Sequence, residues 1–277
     1  MAKDFLVSSE EFSLMKCTVC GFIMTVNPPD ERDMKQYYLS EDYISHSDRK
    51  QNLTEDIYHL VRHIMLGRKY LLMTSVCKTG NGSLLDIGSG TGYFAGYAKT
   101  RGWEVTGIEI SERARNYSFS KFGVNAISPD KVKNLHDKEF TCITLWHVLE
   151  HLNEPDLWLR EISRILKDEG KCIVALPNIN SSDSSWFGKD WAALDVPRHL
   201  WHFSPDTFIR FIQGNGFRCI KTKSMPFDVF YISIMSYRNQ NRSLAFLRGM
   251  ATGMILTIKN LFVRNSASSL IYVIEKQ

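Results

Sequence analysis

The chain has 277 residues, of which 44% are apolar and 23% are charged. This length suits one large domain with additions or two small ones, and the composition is ordinary for a globular protein. The net charge of +4 is modest and its Lys and Arg residues are dispersed, so no nucleic-acid partner is expected. The first twelve residues contain no apolar run of signal-peptide length, and isolated cysteines such as Cys142 and Cys172 fit a reducing compartment. We therefore expect a cytoplasmic protein.

The chain divides into an irregular N-terminal extension, residues 1–50, and a main domain, residues 51–277. From Ile57 the apolar residues follow helical spacing, and beyond that helix short apolar runs alternate with capped amphipathic segments. The predicted strands are 83–87, 104–109, 124–127, 141–146, 171–176, 217–223 and 269–275. A helix that opens at Pro155 is expected to run through Leu166 and to stop at Gly170. Alternation of strands and helices predicts an α/β fold with a doubly wound, mainly parallel sheet.

A helical insertion, residues 224–266, separates the last two predicted strands. Arg248 and Lys259 interrupt its apolar sequence, so it is a poor candidate for a bilayer span. We expect an amphipathic helix packed on the core or on a subunit partner, which leaves a homodimer open. Membrane contact is not expected, although peripheral contact is the alternative for this segment.

The most informative segment runs from Ser83 to Gly92, where an apolar strand enters a turn with three glycines. A second strand ends in a carboxylate at Glu109. Ligands of open α/β sheets bind at the carboxyl ends of the strands, and an acid there suits the hydroxyls of a ribose. A dinucleotide fingerprint would need a glycine where this chain has Tyr93, which disfavours an NAD-dependent oxidoreductase. The spacing alone indicates a cofactor that contains a nucleoside.

The pattern Asp86-x-Gly88-x-Gly90-x-Gly92 resembles motif I of the class I S-adenosylmethionine (SAM)-dependent methyltransferases. The resemblance implies SAM as cofactor and a Rossmann-like sheet of seven strands whose last strand is reversed. It implies these cofactor-binding residues: Asp86, Gly88, Gly90, Gly92, Glu109, Ile110 and Trp146. The resemblance extends over about 83–217 and is weak through the insertion.

A polar cluster follows the fourth predicted strand in the string WHVLEHL, with His147, Glu150 and His151 on one face of a helical turn. An inverted zinc-protease motif needs a different scaffold, and a purely structural turn is the plain alternative. The string also resembles the corresponding segment of small-molecule methyltransferases, including ubiquinone-type O-methyltransferases, in which an E-x-x-E-H cluster is associated with a divalent metal. Here His147 replaces the first Glu, and we expect no metal ion. We predict that His147 or His151 is the base on the acceptor side.

The segment after the fifth strand is rich in Trp, His and Arg, although it should be a loop. Binding residues concentrate on such loops, whereas packing of the tryptophans alone is the alternative. Its W…D-x-P-R-H-L-x-H-F string resembles a bacterial branch of the same superfamily. The predicted substrate residues are Trp186, Trp191, Arg198, His199 and His202.

The N-terminal extension contains a single C-x-x-C pair, Cys17 and Cys20. A closed zinc site needs four ligands, so two ordinary thiols are expected here. Tyr38, Tyr43 and His46 are candidates for a lid over the cofactor, with simple packing as the alternative. Taken together, the sequence predicts a SAM-dependent enzyme that methylates a small-molecule, glycan or lipid-precursor acceptor, with oxygen favoured as the acceptor atom. The alternative is a non-enzymatic SAM-binding protein with an N-terminal interaction module.

Overall fold

The computed structural model describes residues 1–38 and 53–277 of the chain. Its strands are β1 (Ala2–Lys3), β2 (Glu11–Phe12), β3 (Leu14–Lys16), β4 (Ile23–Thr25), β5 (Ser83–Ile87), β6 (Glu104–Ile108), β7 (Asn125–Ile127), β8 (Phe140–Trp146), β9 (Leu166–Pro177), β10 (Trp201–His202), β11 (Phe217–Ser224) and β12 (Ser269–Lys276). Its α-helices are α1 (Glu31–Met34), α2 (Leu53–Cys77), α3 (Tyr93–Lys99), α4 (Glu112–Phe122), α5 (Pro155–Ile165), α6 (Ser182–Phe187), α7 (Pro205–Gly214), α8 (Asp228–Asn239) and α9 (Ala245–Phe262).

A seven-stranded sheet forms the centre of the molecule, in the order β11-β12-β9-β8-β5-β6-β7. The strands from β5 to β9 pair in parallel, whereas β12 is antiparallel to both of its neighbours, β9 and β11. The predicted α/β fold with a mainly parallel, seven-stranded sheet is therefore confirmed. So is the reversal of the last strand that the resemblance implied.

Both faces of the sheet are covered at its centre, which explains why β8 and β12 are buried along most of their length. Successive residues of β5 point to opposite faces: Leu85 packs in the cluster that includes Ile162 of α5, and Leu84 in the cluster that includes Met73 of α2. Ser111 caps α4 by accepting a hydrogen bond from the N–H of Ala114. These helices therefore hold the sheet from two sides and fix the loops at its carboxyl edge.

Strand β9 begins earlier than the sequence predicted. The helix before it ends at Ile165 and the strand starts directly at Leu166, whereas the sequence predicted a helix through Leu166 and a strand from 171. Leu166 pairs with Phe140, and the register then shifts before Lys171 pairs with Cys142. Pairing with β8, which the sequence does not show, therefore makes β9 begin where the sequence predicted the end of a helix and a loop.

The N-terminal segment is more regular than expected: β1 pairs with β2, β3 pairs with β4, and β4 also pairs with β10, which lies far along the chain. Strand β4 lies between β3 and β10, with Met24 opposite Trp201. Asp4 is fully buried and forms an ion pair with Arg198, with 3.0 Å between Oδ1 and Nη2. The segment thus packs against the loop that follows β9, and the division at residue 50 stays a prediction.

Two helices, α8 and α9, lie between β11 and β12, where the sequence predicted a helical insertion. They pack against each other, and α8 also contacts the loop that follows β9. Among the helices of residues 1–38 and 53–277, none has the length and apolar character needed to cross a membrane.

Candidate active site

The three glycines of the turn after β5 are needed for two different physical reasons. All three adopt positive φ angles: 69° at Gly88, 53° at Gly90 and 81° at Gly92. A Cβ on Gly88 would lie 2.3 Å from Val148, and one on Gly92 would lie 2.0 Å from the Ser118 hydroxyl. These two glycines therefore permit close packing of the protein on itself.

Gly90 differs, because a Cβ there would meet no atom within 4 Å. Its N–H donates to Oε2 of Glu109 at 2.8 Å, and the N–H of Ser111 donates to Oε1 at 2.9 Å. The carboxylate that ends β6 is thus anchored against the glycine turn, beside open space. Ile110, the next residue, is 74% exposed.

Asp86 lies beneath this turn in a buried environment. Its carboxylate accepts a hydrogen bond from the Thr144 hydroxyl at 2.6 Å. Burial raises the pKa of Asp86 to about 6, against the opposing effects of Thr144 and the positive charge of Lys69. At neutral pH this carboxylate is mostly ionised, and it depends on its two partners to remain so.

Trp146 is the last residue of β8, and side chains of α2 and α3 contact its ring. The Lys69 ammonium of α2 is 4.3 Å from the centre of its ring, and Phe94 contacts it edge-on at 5.4 Å. Burial lowers the pKa of Lys69, while Asp86 and Asp228 raise it. The site therefore places a cation, an aromatic ring and two carboxylates close to the glycine turn.

His147 is held between two carboxylates at the carboxyl end of β8. Its Nδ1 lies 3.4 Å from Oε1 of Glu150, and its Nε2 lies 3.4 Å from Oδ2 of Asp228. Burial lowers its pKa, but the ion pairs with the carboxylates of Asp228 and Glu150 outweigh this and raise the pKa of His147 to about 9. His147 is accordingly an imidazolium at neutral pH.

His151 has the opposite electrostatic environment. Its burial and the nearby His199 lower the pKa of His151 to about 4, so the ring is neutral. Its Nδ1 lies 3.0 Å from the Arg198 carbonyl oxygen and 3.2 Å from the Tyr38 hydroxyl. Since a carbonyl only accepts, this contact favours a proton on Nδ1 and a lone pair on Nε2.

His199 joins this cluster from the loop after β9. Its ring centre lies 4.6 Å from that of His151, and its Nδ1 lies 3.0 Å from the Ala193 carbonyl oxygen. Glu150, His151 and His199 each offer a donor atom, and these atoms lie within 4.8 Å of one another. Within the described residues neither carboxylate oxygen of the buried Glu150 has a hydrogen-bond partner. Two imidazoles and one carboxylate are a donor set that could hold a divalent transition-metal ion.

The other predicted substrate residues have different surroundings. Arg198 is buried and pairs with Asp4 and Asp195, and His202 lies 3.0 Å from the Thr25 hydroxyl. The Trp191 indole donates to Asp183 at 2.7 Å, whereas Trp186 is 56% exposed. Of these five residues, His199 is the one whose ring contacts His151, and the substrate roles of all five stay predictions.

The predicted features of the N-terminal extension are partly described. Cys17 and Cys20 are free and exposed, and the backbone N–H groups of Cys20 and Val19 lower the pKa of the Cys17 thiol. Tyr38 reaches His151, as described above. Tyr43 and His46 lie outside the described residues, so the lid stays a prediction.

Sequence reasoning missed three charged residues of the site: Lys69, Asp195 and Asp228. Lys69 lies within a helix whose pattern does not separate it from surface lysines. Asp228 opens the insertion, and Asp195 lies 3.8 Å from Nε2 of His199. Sequence spacing carries no signal for Lys69 and Asp228, because folding brings them to the site from distant segments. Asp195 stands four residues before His199, so spacing could have identified it.

The fold agrees with the comparisons to known proteins. A family model described as "Methyltransferase domain" matches residues 60–222, more than half of the chain. The chain therefore belongs to the methyltransferase family, within the class I SAM-dependent group. It is an enzyme that uses SAM as its cofactor.

Individual relatives are distant. The chain is 27% identical over 164 residues to a ubiquinone biosynthesis O-methyltransferase of Pelagibacter ubique, covering 54% of this chain and 67% of that protein. A SAM-dependent methyltransferase from Archaeoglobus fulgidus has a TM-score of 0.53 at 20% identity, covering 79% of this chain and 94% of that one. Magnesium protoporphyrin IX methyltransferase from Synechocystis, solved with bound S-adenosylhomocysteine, has a TM-score of 0.58 at 11% identity, covering 89% and 100%. These structures share the fold with this chain.

We expect Glu109→Ala to weaken SAM binding about tenfold or more, because this carboxylate is the predicted hydrogen-bond partner of the ribose hydroxyls. Isothermal titration calorimetry with SAM measures the change. Glu112→Ala, one turn further along the same segment, is the matched control and should bind SAM as the wild type does. Equal affinities for the Glu109 and Glu112 variants would place the ribose elsewhere.

We also expect Gly90→Val to abolish SAM binding while the fold is retained, since its side chain would enter the open space beside Glu109. Gly102→Val is a matched control: Gly102 also has a positive φ, 90°, and a Cβ there also meets no atom within 4 Å. Both variants therefore carry similar backbone strain. Circular dichroism and SAM titration together separate strain from occlusion, and normal SAM binding by Gly90→Val would show that the turn does not contact the cofactor.

Proposed function

We propose that the enzyme transfers the SAM methyl group to a hydroxyl oxygen of a small-molecule, glycan or lipid-precursor acceptor. The acceptor would lie between the His147–His151 segment and the loop 186–202. One observation carries this proposal: two histidines follow the same strand, and their surroundings shift their pKa values in opposite directions, to about 9 and about 4. Such a pair supplies a proton donor and a proton acceptor at one pH.

Bound SAM supplies an electrophilic methyl group, and alignment of the acceptor oxygen with it accounts for much of the expected rate. His151 accepts the hydroxyl proton at Nε2, whose lone pair the Arg198 carbonyl contact leaves available. Glu150 stabilises the imidazolium that forms, since its negative charge raises the pKa of His151. The two N–H groups of His147 face Glu150 and Asp228, so this charged ring acts on the acceptor oxygen through its positive charge.

The cofactor side of the site is formed by other groups of this chain. We propose that Gly90 and Glu109 bind the nucleoside end and that Asp86 and Gly88 lie near the methionine end. Lys69 is the cation next to Asp86 and Trp146, and its ammonium suits the carboxylate of the methionine group. Trp146 offers an aromatic surface to a sulfonium, a contact typically worth about 1 kcal/mol.

The choice of oxygen as the acceptor atom has separate support. The Pelagibacter relative is named as an O-methyltransferase, and its match covers about half of this chain. A hydroxyl acceptor must lose its proton, which gives the neutral His151 a function that a thioether or tertiary amine acceptor would not require.

Turnover by histidine variants tests the proposal. We expect His151→Ala to lower turnover about 10²-fold or more, the usual contribution of a general base, with little change in SAM affinity. The assay follows S-adenosylhomocysteine formation with a panel of phenols, sugars and lipid-precursor alcohols. His136→Ala, a change at an exposed histidine, should leave turnover unchanged.

Two outcomes would contradict the role given to His151. Full turnover by His151→Ala would exclude it as the base. Loss of wild-type turnover after chelation, restored by a divalent transition-metal ion, would show instead that Glu150, His151 and His199 act as a metal site. Calorimetry with SAM distinguishes both outcomes from a failure of cofactor binding.

The charge of His147 makes a pH-dependent contribution to stability. Because its folded-state pKa is raised from the usual value of 6.5 to about 9, the contribution is fully present below pH 6.5 and is lost as the pH rises through 9. His147→Asn is the suitable variant, since His147 has a φ of 58° and Asn tolerates this region. Denaturant unfolding should show a wild-type advantage at pH 6 that shrinks toward pH 10. A difference independent of pH would show that His147 is neutral in the folded protein.

A further inference from the structure

Helix α9 presents a long apolar surface outward. Along one side of the helix, large side chains follow at intervals of three and four residues, the spacing of a single helical face. The exposed members of this apolar stripe are Leu247 (61%), Met250 (39%), Met254 (60%), Ile258 (54%), Leu261 (77%) and Phe262 (84%). A contiguous exposed patch of this kind marks an interaction surface rather than ordinary surface composition.

The opposite side of α9 packs against α8. Gly249 and Gly253 face α8, and a Cβ on either would come within 2.4–2.6 Å of Ile234 or Phe230. Small residues four apart let the two helices approach closely. The two glycines therefore allow α8 and α9 to pack closely as a helical hairpin (Asp228–Phe262). The large side chains of the apolar stripe point away from this hairpin and are available for a contact outside it.

The charged side chains of α9 and its flanking segments, around the apolar stripe, are all basic. Between Val229 and Ile274 the sequence contains no Asp or Glu, and its basic residues are Arg238, Arg242, Arg248, Lys259 and Arg264. All five are exposed. Arg248 and Lys259 are about three helical turns apart and so border the stripe on the same side. Asp190, bonded to Gln240 at the end of α8, is an acid that contacts this hairpin from another segment.

We propose that α9 docks on the surface of an anionic lipid bilayer, lying in the interface with its apolar stripe inserted and its basic residues at the headgroups. An exposed apolar face bordered by Lys and Arg has the chemistry of such a helix. A second copy of this chain suits the surface less well. A two-fold contact through α9 would bring its basic residues together, and the acid that begins each hairpin, Asp228, already pairs with His147.

Docking of α9 on a bilayer also indicates which class of methyl acceptor the enzyme would use, an inference that rests on the proposed function. Helix α8 begins at Asp228, whose carboxylate lies 3.4 Å from His147. The hairpin that carries the docking surface thus also contributes to the acceptor side of the site. An acceptor with a hydrocarbon chain, held in the bilayer, fits this arrangement.

Co-sedimentation with vesicles tests the docking. We expect the full chain to sediment with phosphatidylcholine vesicles that contain phosphatidylglycerol, to sediment far less with pure phosphatidylcholine, and to be released by high salt. The double variant Met254→Glu/Ile258→Glu should abolish sedimentation. Phe119→Glu changes an equally exposed side chain on α4 (65%) and should leave it intact. Arg248→Gln and Lys259→Gln should each weaken binding about fivefold, since a basic residue at an anionic surface contributes about 1 kcal/mol.

Two results would overturn the docking. One is a wild-type protein that stays in the supernatant with anionic vesicles. The other is a wild-type dimer that becomes a monomer in the glutamate variant, which would identify a second copy as the occupant. SAM titration confirms that each variant retains its fold. Because sedimentation does not depend on turnover, a failure of the proposed methyl transfer would leave the docking result unaffected.

Discussion

The parallel register of three neighbouring strands determines where the glycine turn, Glu109 and the Trp146–His151 segment of the candidate active site lie. Ile87 of β5 pairs with Ile108 of β6 and with Leu145 of β8, so the three strands end at the same level. The glycine turn, Glu109 and the segment from Trp146 follow directly from these ends. Carboxyl ends of parallel strands share one edge of the sheet, and the chain concentrates its polar side chains there. A shift of one residue in either pairing would point the wrong side chains into the site.

The second level of organisation is electrostatic. Four ionisable side chains (His147, Glu150, His151 and His199) lie together in a mostly buried cluster. The charges of neighbouring groups shift the pKa values of His147, Glu150 and His151. Asp228 and Glu150 keep His147 charged, whereas burial and His199 keep His151 neutral. Removing one member would change the charge of the others, so the cluster acts as a unit in which single substitutions do not add.

Segments outside the sheet complete the site from opposite ends of the chain. The N-terminal strands pack against the loop after β9 through the buried contact between Asp4 and Arg198, and the Arg198 carbonyl in turn contacts His151. Helix α8 contributes Asp228 from the insertion. The extension and the insertion are therefore structural parts of the site, and changes in either can alter the histidines without touching the glycine turn.

The sequence by itself determined the elements whose signals are local. Continuous apolar runs, a serine cap before α4 and a glycine turn after β5 were enough to predict the sheet, its class and a cofactor that contains a nucleoside. The resemblance of the glycine turn to motif I of the methyltransferases then identified this cofactor as SAM. The glycine spacing and Glu109 lie within one strand–turn–helix–strand unit, where distance along the chain is a guide to distance in space. Glu150 and His151 were visible for the same reason, as neighbours in a short turn.

Only the tertiary structure decided the properties that depend on distant partners. These include the pairing of β4 with β10, the early start of β9 opposite Phe140, and the presence of Lys69 and Asp228 beside Trp146 and His147. The opposite protonation states of the two histidines belong to the same group, since the pKa of a side chain depends on its burial and on the charges around it. Burial and surrounding charge are both fixed only when segments from both ends of the chain have packed together. The sequence therefore allowed us to predict that the two histidines belong to the site, but not to distinguish their roles.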